Sequence, residues 1–124
     1  MANILIVEDD PDLRQLFLQL LSQEGHDCTA CGAAEDADEA LAARPPDLAI
    51  LDINLPGEHG VSLAWRIRQL HPSLPLIVTS AELEAWERED IEDCGADRIL
   101  EKPIPPDRLI ALVREMLARP IAGA

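Results

Sequence analysis

Asp47-Leu48-Ala49-Ile50-Leu51-Asp52-Ile53-Asn54-Leu55-Pro56 is the stretch on which the fold turns, an apolar run that ends abruptly in one carboxylate. Four consecutive apolar residues, Leu48 to Leu51, are the pattern of an inner parallel strand buried on both faces. Asp52 is the first residue to leave that core. In open α/β sheets the carboxyl ends of strands carry ligands and chemistry, so this acid stands where reactive groups are expected. Pro56 and Gly57 turn the chain away behind it.

Working outward, Ile4-Leu5-Ile6-Val7 is a second unbroken aliphatic run, and it too ends in acids, Glu8-Asp9-Asp10. Asp10 fits an N-cap, with Pro11 in the first helical position and Asp12 in the first turn. Leu13, Leu16, Phe17, Leu20 and Leu21 then recur at the three-four spacing of one helix face, and Gly25 ends the helix. A short strand is expected from Asp27 to Ala30, followed by an alanine-rich helix over 34–43 with Ala37, Ala40 and Leu41 inward. Arg44-Pro45-Pro46 breaks that helix.

Beyond the central stretch, a helix over 61–70 presents Leu63, Ala64, Ile67 and Leu70 to the core. Leu76-Ile77-Val78 forms the next strand, ending in Thr79-Ser80. Residues 82–93 are expected to be helical but carry seven acids against one arginine, Arg88, so this is expected to be the least stable helix. Arg98 to Glu101 makes a fifth strand, with Lys102-Pro103 directly after it. Pro105, Pro106 and Asp107 open a last helix carrying Leu109, Leu112, Val113, Met116 and Leu117. Residues 1–118 are expected to form one domain and 119–124 a frayed tail. Alternating strands and helices with short connections call for an α/β fold, a doubly wound parallel sheet covered on both faces.

Composition narrows the function. The 124 residues leave no room for a second domain, and 2% aromatic content requires an aliphatic core. A formal net charge of −14 opposes binding to nucleic acid or to anionic membrane surfaces. No apolar run approaches the roughly 20 residues of a spanning helix, so a cytoplasmic location is expected. Cys28-x-x-Cys31 falls in a strand rather than opening a helix, which disfavours a redox pair, and His26, His59 and His71 are too scattered for zinc.

Glu8, Asp9, Asp52, Thr79 and Lys102 all fall at carboxyl ends of strands, which right-handed crossovers gather at one edge. Three carboxylates brought together cannot all stay ionised unless a cation joins them, and a hard divalent ion such as Mg²⁺ fits oxygen ligands. A carboxylate nucleophile, a metal and a lysine suit formation of an aspartyl phosphate, and Thr79 offers a hydroxyl to a phosphoryl oxygen.

Over essentially its full length the chain resembles the receiver domain of bacterial two-component response regulators, such as the chemotaxis receiver. The motifs that carry the resemblance are Ile6-Val7-Glu8-Asp9, Asp52-Ile53-Asn54-Leu55-Pro56 with Gly60, Val78-Thr79-Ser80, Cys94-Gly95-Ala96-Asp97 and Lys102-Pro103. It implies a flavodoxin-like (βα)5 fold with strand order 2-1-3-4-5. It implies Asp52 as phosphoacceptor, and Asp9 as the direct Mg²⁺ ligand with Glu8 holding the metal through water. The Asn54 backbone carbonyl completes the protein ligands, Thr79 is the switch hydroxyl, and Lys102 binds phosphate ahead of a cis peptide at Pro103. The family's usual aromatic switch position is Ile99 here, and Ile104 replaces a frequent phenylalanine.

The implied partners are a sensor histidine kinase or histidine phosphotransfer protein as phosphodonor, and a downstream target or a missing output domain. The chain would be a monomer or a phosphorylation-linked dimer, binding through a face around Ile99, the helix over 82–93 and the last helix. It would not be an enzyme acting on outside substrates. A Mg²⁺-dependent phosphohydrolase usually has a second aspartate two residues after its nucleophile, where this chain has Asn54. Neither G-x-G-x-x-G nor a Walker loop is present. The remaining alternative is a receiver-like interaction module that does not use phosphate.

Overall fold

The computed structural model describes residues 2–55, 60–81 and 95–118. The expected turn at Pro56-Gly57, the helix over 82–93, Cys94 and the tail 119–124 lie outside them. The described elements run β1 (Asn3–Val7), α1 (Pro11–Gln23), β2 (Asp27–Cys31), α2 (Ala34–Ala43), β3 (Leu48–Asp52), α3 (Gly60–Leu70), β4 (Leu76–Ser80), β5 (Arg98–Glu101) and α4 (Pro106–Ala118). All strand pairings are parallel and the order is β2-β1-β3-β4-β5, so the fold is a doubly wound, flavodoxin-like sheet.

The continuous aliphatic strands are explained by two cores. Alternate residues of a strand point to opposite faces. Ile4, Ile6, Leu48, Ile50 and Ile77 therefore pack with Phe17 and Leu21 of α1 and Leu109, Leu112, Val113 and Met116 of α4. Leu5, Val7, Ala49, Leu51 and Val78 pack with Ala34, Ala37 and Leu41 of α2 and Leu63, Ala64 and Ile67 of α3. Each fully buried Leu or Ile contributes about 2 kcal/mol, so the inner strands alone anchor both layers.

Local signals hold closely at the helix ends. The Asp10 carboxylate accepts from the Asp12 and Leu13 amides at 3.0 and 3.4 Å, capping α1. Gly25 follows that helix with φ +93°, a conformation that L side chains rarely adopt. Two expected core residues face water instead. Leu16 is 40% exposed, because at about 100° per residue it lies to one side of the Phe17–Leu21 line. Leu70 is 68% exposed; it is the last residue of α3, and Leu74 joins the core beyond it.

At the amino edge of the sheet two aspartates extend the pairing beyond the strands. Asp47 Oδ2 accepts from the Asn3 amide at 2.8 Å while the Asp47 amide donates to the Asn3 carbonyl at 2.7 Å. Asp97 does the same for β4: its Oδ2 accepts from the Leu76 amide at 2.9 Å and its amide donates to the Leu76 carbonyl at 2.9 Å. Arg68 braces this corner, donating to Asp97 and to the Gly95, Pro72 and Leu74 carbonyls. Each otherwise orphaned strand-end amide thus has a partner.

Candidate functional site

Parallel register gathers the acidic edge. Asp52, last in β3, lies opposite Thr79 of β4, and Ser80 lies opposite Glu101 of β5. The Lys102 amide continues the ladder to the Ser80 carbonyl at 2.7 Å, which brings its side chain back over the edge. On the other flank the Glu8 amide donates to the Cys31 carbonyl at 2.9 Å, one residue beyond β1.

The constellation assembles as the strand ends require. Ligand oxygens of Glu8, Asp9 and Asp52 lie within 4.8 Å of one another, with Glu8 and Asp52 buried and Asp9 exposed. Lys102 Nζ sits 3.0 Å from Asp52 Oδ2 and 2.7 Å from Glu8 Oε1. The first contact is a hydrogen bond. The second is an ion pair outside hydrogen-bond direction, so Glu8 Oε1 is buried without a hydrogen-bond partner. Glu8 Oε2 accepts from the Asp10 amide at 3.2 Å, and Asp52 Oδ1 from the Asn54 amide at 2.9 Å. Thr79 is buried, its hydroxyl donating to the Leu51 carbonyl over a long 3.5 Å.

This crowding separates the two buried acids. Burial pushes Glu8 up to about 7, reinforced by the neighbouring Asp52 carboxylate and opposed by Lys102. Burial also pushes on Asp52, but neighbouring Glu8 and the hydrogen bonds from the Asn54 amide and Lys102 outweigh it and hold this acid below its ordinary value. Lys102 is desolvated too, yet Glu8 and Asp52 keep its ammonium above the ordinary range. The Asp52 carboxylate therefore stays ionised at neutral pH, with a cation already beside it, while Glu8 holds its proton more tightly than an ordinary glutamate. A hard divalent cation fits this donor set, which offers oxygens only, one of them buried with no hydrogen-bond partner and only the Lys102 ammonium beside it.

The other residues singled out from the sequence are also placed. Asn54 is exposed, and its amide rather than its side chain meets Asp52. Ile99 is half-buried against the α2–α3 core and lines a groove of about 470 Å³ between β5 and α4, walled by Arg98, Arg108 and Glu115. Ile104 packs on the opposite core. The Lys102–Pro103 peptide is cis. Cys28 and Cys31 are free and belong to different cores on opposite faces of the sheet, so the C-x-x-C spacing makes no pair. Arg14, bonded to the Glu8 carbonyl, escaped the sequence reading, because an arginine in an amphipathic helix carries no distinguishing pattern.

The sequence matches the response regulator receiver domain model over residues 4–114. The chain belongs to the response regulator receiver domain family. Receivers act generally as phosphorylation switches of two-component systems. This receiver is 32% identical to the transcriptional regulatory protein AruR of Pseudomonas aeruginosa, covering 94% of this chain and 50% of that protein. It is 35% identical to the virulence transcriptional regulatory protein PhoP of Salmonella typhimurium, covering 96% of this chain and 53% of PhoP. It thus spans about half the length of the curated relatives it matches. A CheY-like receiver from Methanospirillum hungatei superposes with a TM-score of 0.91 at 26% identity, with 94% of each chain covered. No helix among the described residues is long and apolar enough to cross a membrane.

Proposed function

We propose that this receiver takes a phosphoryl group onto Asp52 from a phosphohistidine, borne by a sensor histidine kinase or a histidine phosphotransfer protein. The observation that carries the reading is the Asp52 carboxylate itself: buried at the end of β3, held ionised by Lys102 at 3.0 Å and oriented by the Asn54 amide at 2.9 Å. One Asp52 oxygen forms the new bond to phosphorus as the phosphorus–nitrogen bond to the donor imidazole breaks. Lys102 then faces the added phosphoryl oxygens, and Thr79, directly across in register, turns its weakly held hydroxyl toward them.

Asp9 and Glu8, with Asp52 and the Asn54 carbonyl, are the residues that would hold Mg²⁺. When bound, Mg²⁺ supplies positive charge that offsets the phosphoryl oxygens. Movement at Thr79 is passed to Ile99 and the β5–α4 face, where a target or an output domain docks. The chain promotes its own phosphorylation and hydrolysis rather than acting on outside substrates, and works in the cytoplasm as a monomer or a phosphorylation-linked dimer.

The test is intact mass after incubation with Mg²⁺ and acetyl phosphate, for the wild type and Asp52→Asn. The expected result is one added phosphoryl group in the wild type only, abolished by EDTA. If neither acetyl phosphate nor beryllofluoride changes the wild-type protein, by mass or by the NMR signals of Thr79 and Ile99, the chain is a phosphate-independent interaction module instead.

A further inference from the structure

Arg14 stands in the first turn of α1, outside the constellation described above. Its Nη1 donates to the Glu8 carbonyl at 3.0 Å. The amide of the same Glu8 donates to the Cys31 carbonyl at 2.9 Å. Glu8 is thus held through both main-chain groups, by the end of β2 on one side and by α1 on the other. Its side chain folds back onto the Asp10 amide.

Gly32 supplies the companion observation. Its backbone does not need glycine, since the glycines with positive φ are Gly25 and Gly95 among the described residues. Space is what it provides: a Cβ at Gly32 would lie 2.8 Å from Arg14 Nη1. The missing side chain is the room the guanidinium occupies on its way to the Glu8 carbonyl.

Two effects of Arg14 on a cation site pull in opposite directions. As a positive charge beside the acidic edge it weakens binding of a second cation. As a clamp on the Glu8 main chain it keeps the Glu8 and Asp9 carboxylates converging on Asp52, and outer partners that orient ligands typically change metal affinity by about 10- to 100-fold. We propose that Arg14, seated against Gly32, is a positioning residue that fixes the Glu8–Asp9 main chain so that these carboxylates and Asp52 can share one divalent cation. The inference rests on the reading of this edge as a Mg²⁺ and phosphoacceptor site.

Calorimetric titration of Mg²⁺ into the full chain separates the two effects, because they move affinity in opposite senses. Arg14→Met keeps the length of the side chain but no donor, and its Mg²⁺ dissociation constant is expected to rise about tenfold. Arg14→Lys should recover part of the loss, since an ammonium can also donate to a carbonyl. Gly32→Ala should weaken binding similarly, because its clash falls on the far end of a flexible side chain and displaces the guanidinium without unfolding the chain. In the double variant the two losses should not add. Urea unfolding without Mg²⁺ checks that each variant is folded; should Arg14→Met not be, Arg14→Lys and Gly32→Ala carry the test. Unchanged or tighter binding in the folded variants would overturn the proposal, tighter binding showing that charge alone matters. A wild type that neither binds Mg²⁺ nor takes a phosphoryl group would defeat the phosphoacceptor reading and this inference with it. A wild type that does both while the variants match it defeats the inference alone.

Discussion

The two edges of the sheet use the same residue type to opposite ends. At the amino edge Asp47 and Asp97 accept strand-end amides and return their own, so every bond is reciprocated. At the carboxyl edge Glu8, Asp9 and Asp52 face one another, one buried oxygen has no hydrogen-bond partner, and a single lysine holds the buried pair. A carboxylate beside amides is satisfied by its neighbours, whereas carboxylates facing each other need positive charge, which Lys102 supplies here.

Removing the lysine breaks this contrast most severely. Lys102→Met leaves two buried acids without their cation, and loss of one partner from a buried ion pair costs about 3 kcal/mol. Urea unfolding in EDTA should show that loss, and Mg²⁺ should restore much of it. A variant as stable as the wild type in EDTA would mean that the carboxyl edge carries no such tension.

At the amino edge, Asp97→Ala removes a charged acceptor from the Leu76 amide and from Arg68, and should destabilise by about 2 kcal/mol. Mg²⁺ should not rescue it, and Mg²⁺ affinity should match the wild type. Rescue by Mg²⁺ there would show that the edges are coupled rather than divided in their roles.

A further effect is one of pH. Glu8, raised from an ordinary 4.5 to about 7, keeps in the fold a proton that the unfolded chain has already released. Stability therefore falls as pH rises across that window. Asp52 runs the other way: its depressed value gives stability that is lost only as pH falls below its ordinary 3.8, outside the window. Mg²⁺ must displace the Glu8 proton, so its apparent affinity should gain up to about tenfold, about 1.4 kcal/mol, per unit of pH approaching 7 and then level off. Equal affinity at pH 6 and pH 8 would remove Glu8 from the site.

Much of this was legible before folding. Unbroken runs such as Ile4 to Val7 and Leu48 to Leu51 can only be buried on both faces, and Asp10-Pro11 marks a helix start through contacts a few residues long. The acids at the strand ends followed from where those runs stop. Leu16 and Leu70 were misplaced because a three-four spacing names a helix face without saying how much of it the sheet covers. Cys28 and Cys31 look adjacent in sequence, yet their positions in the strand put them on opposite faces.

What the sequence determined by itself was therefore local: strand and helix periods, caps, and which residues end each apolar run, all decided by neighbours within about one turn or one strand. The tertiary structure alone decided which acid stays ionised, that Glu8 Oε1 has no hydrogen-bond partner, and that Arg14 reaches the Glu8 carbonyl through the space at Gly32. Those properties depend on desolvation and on separations of a few ångströms between groups carried by different elements, and neither exists until the strands and helices have packed together.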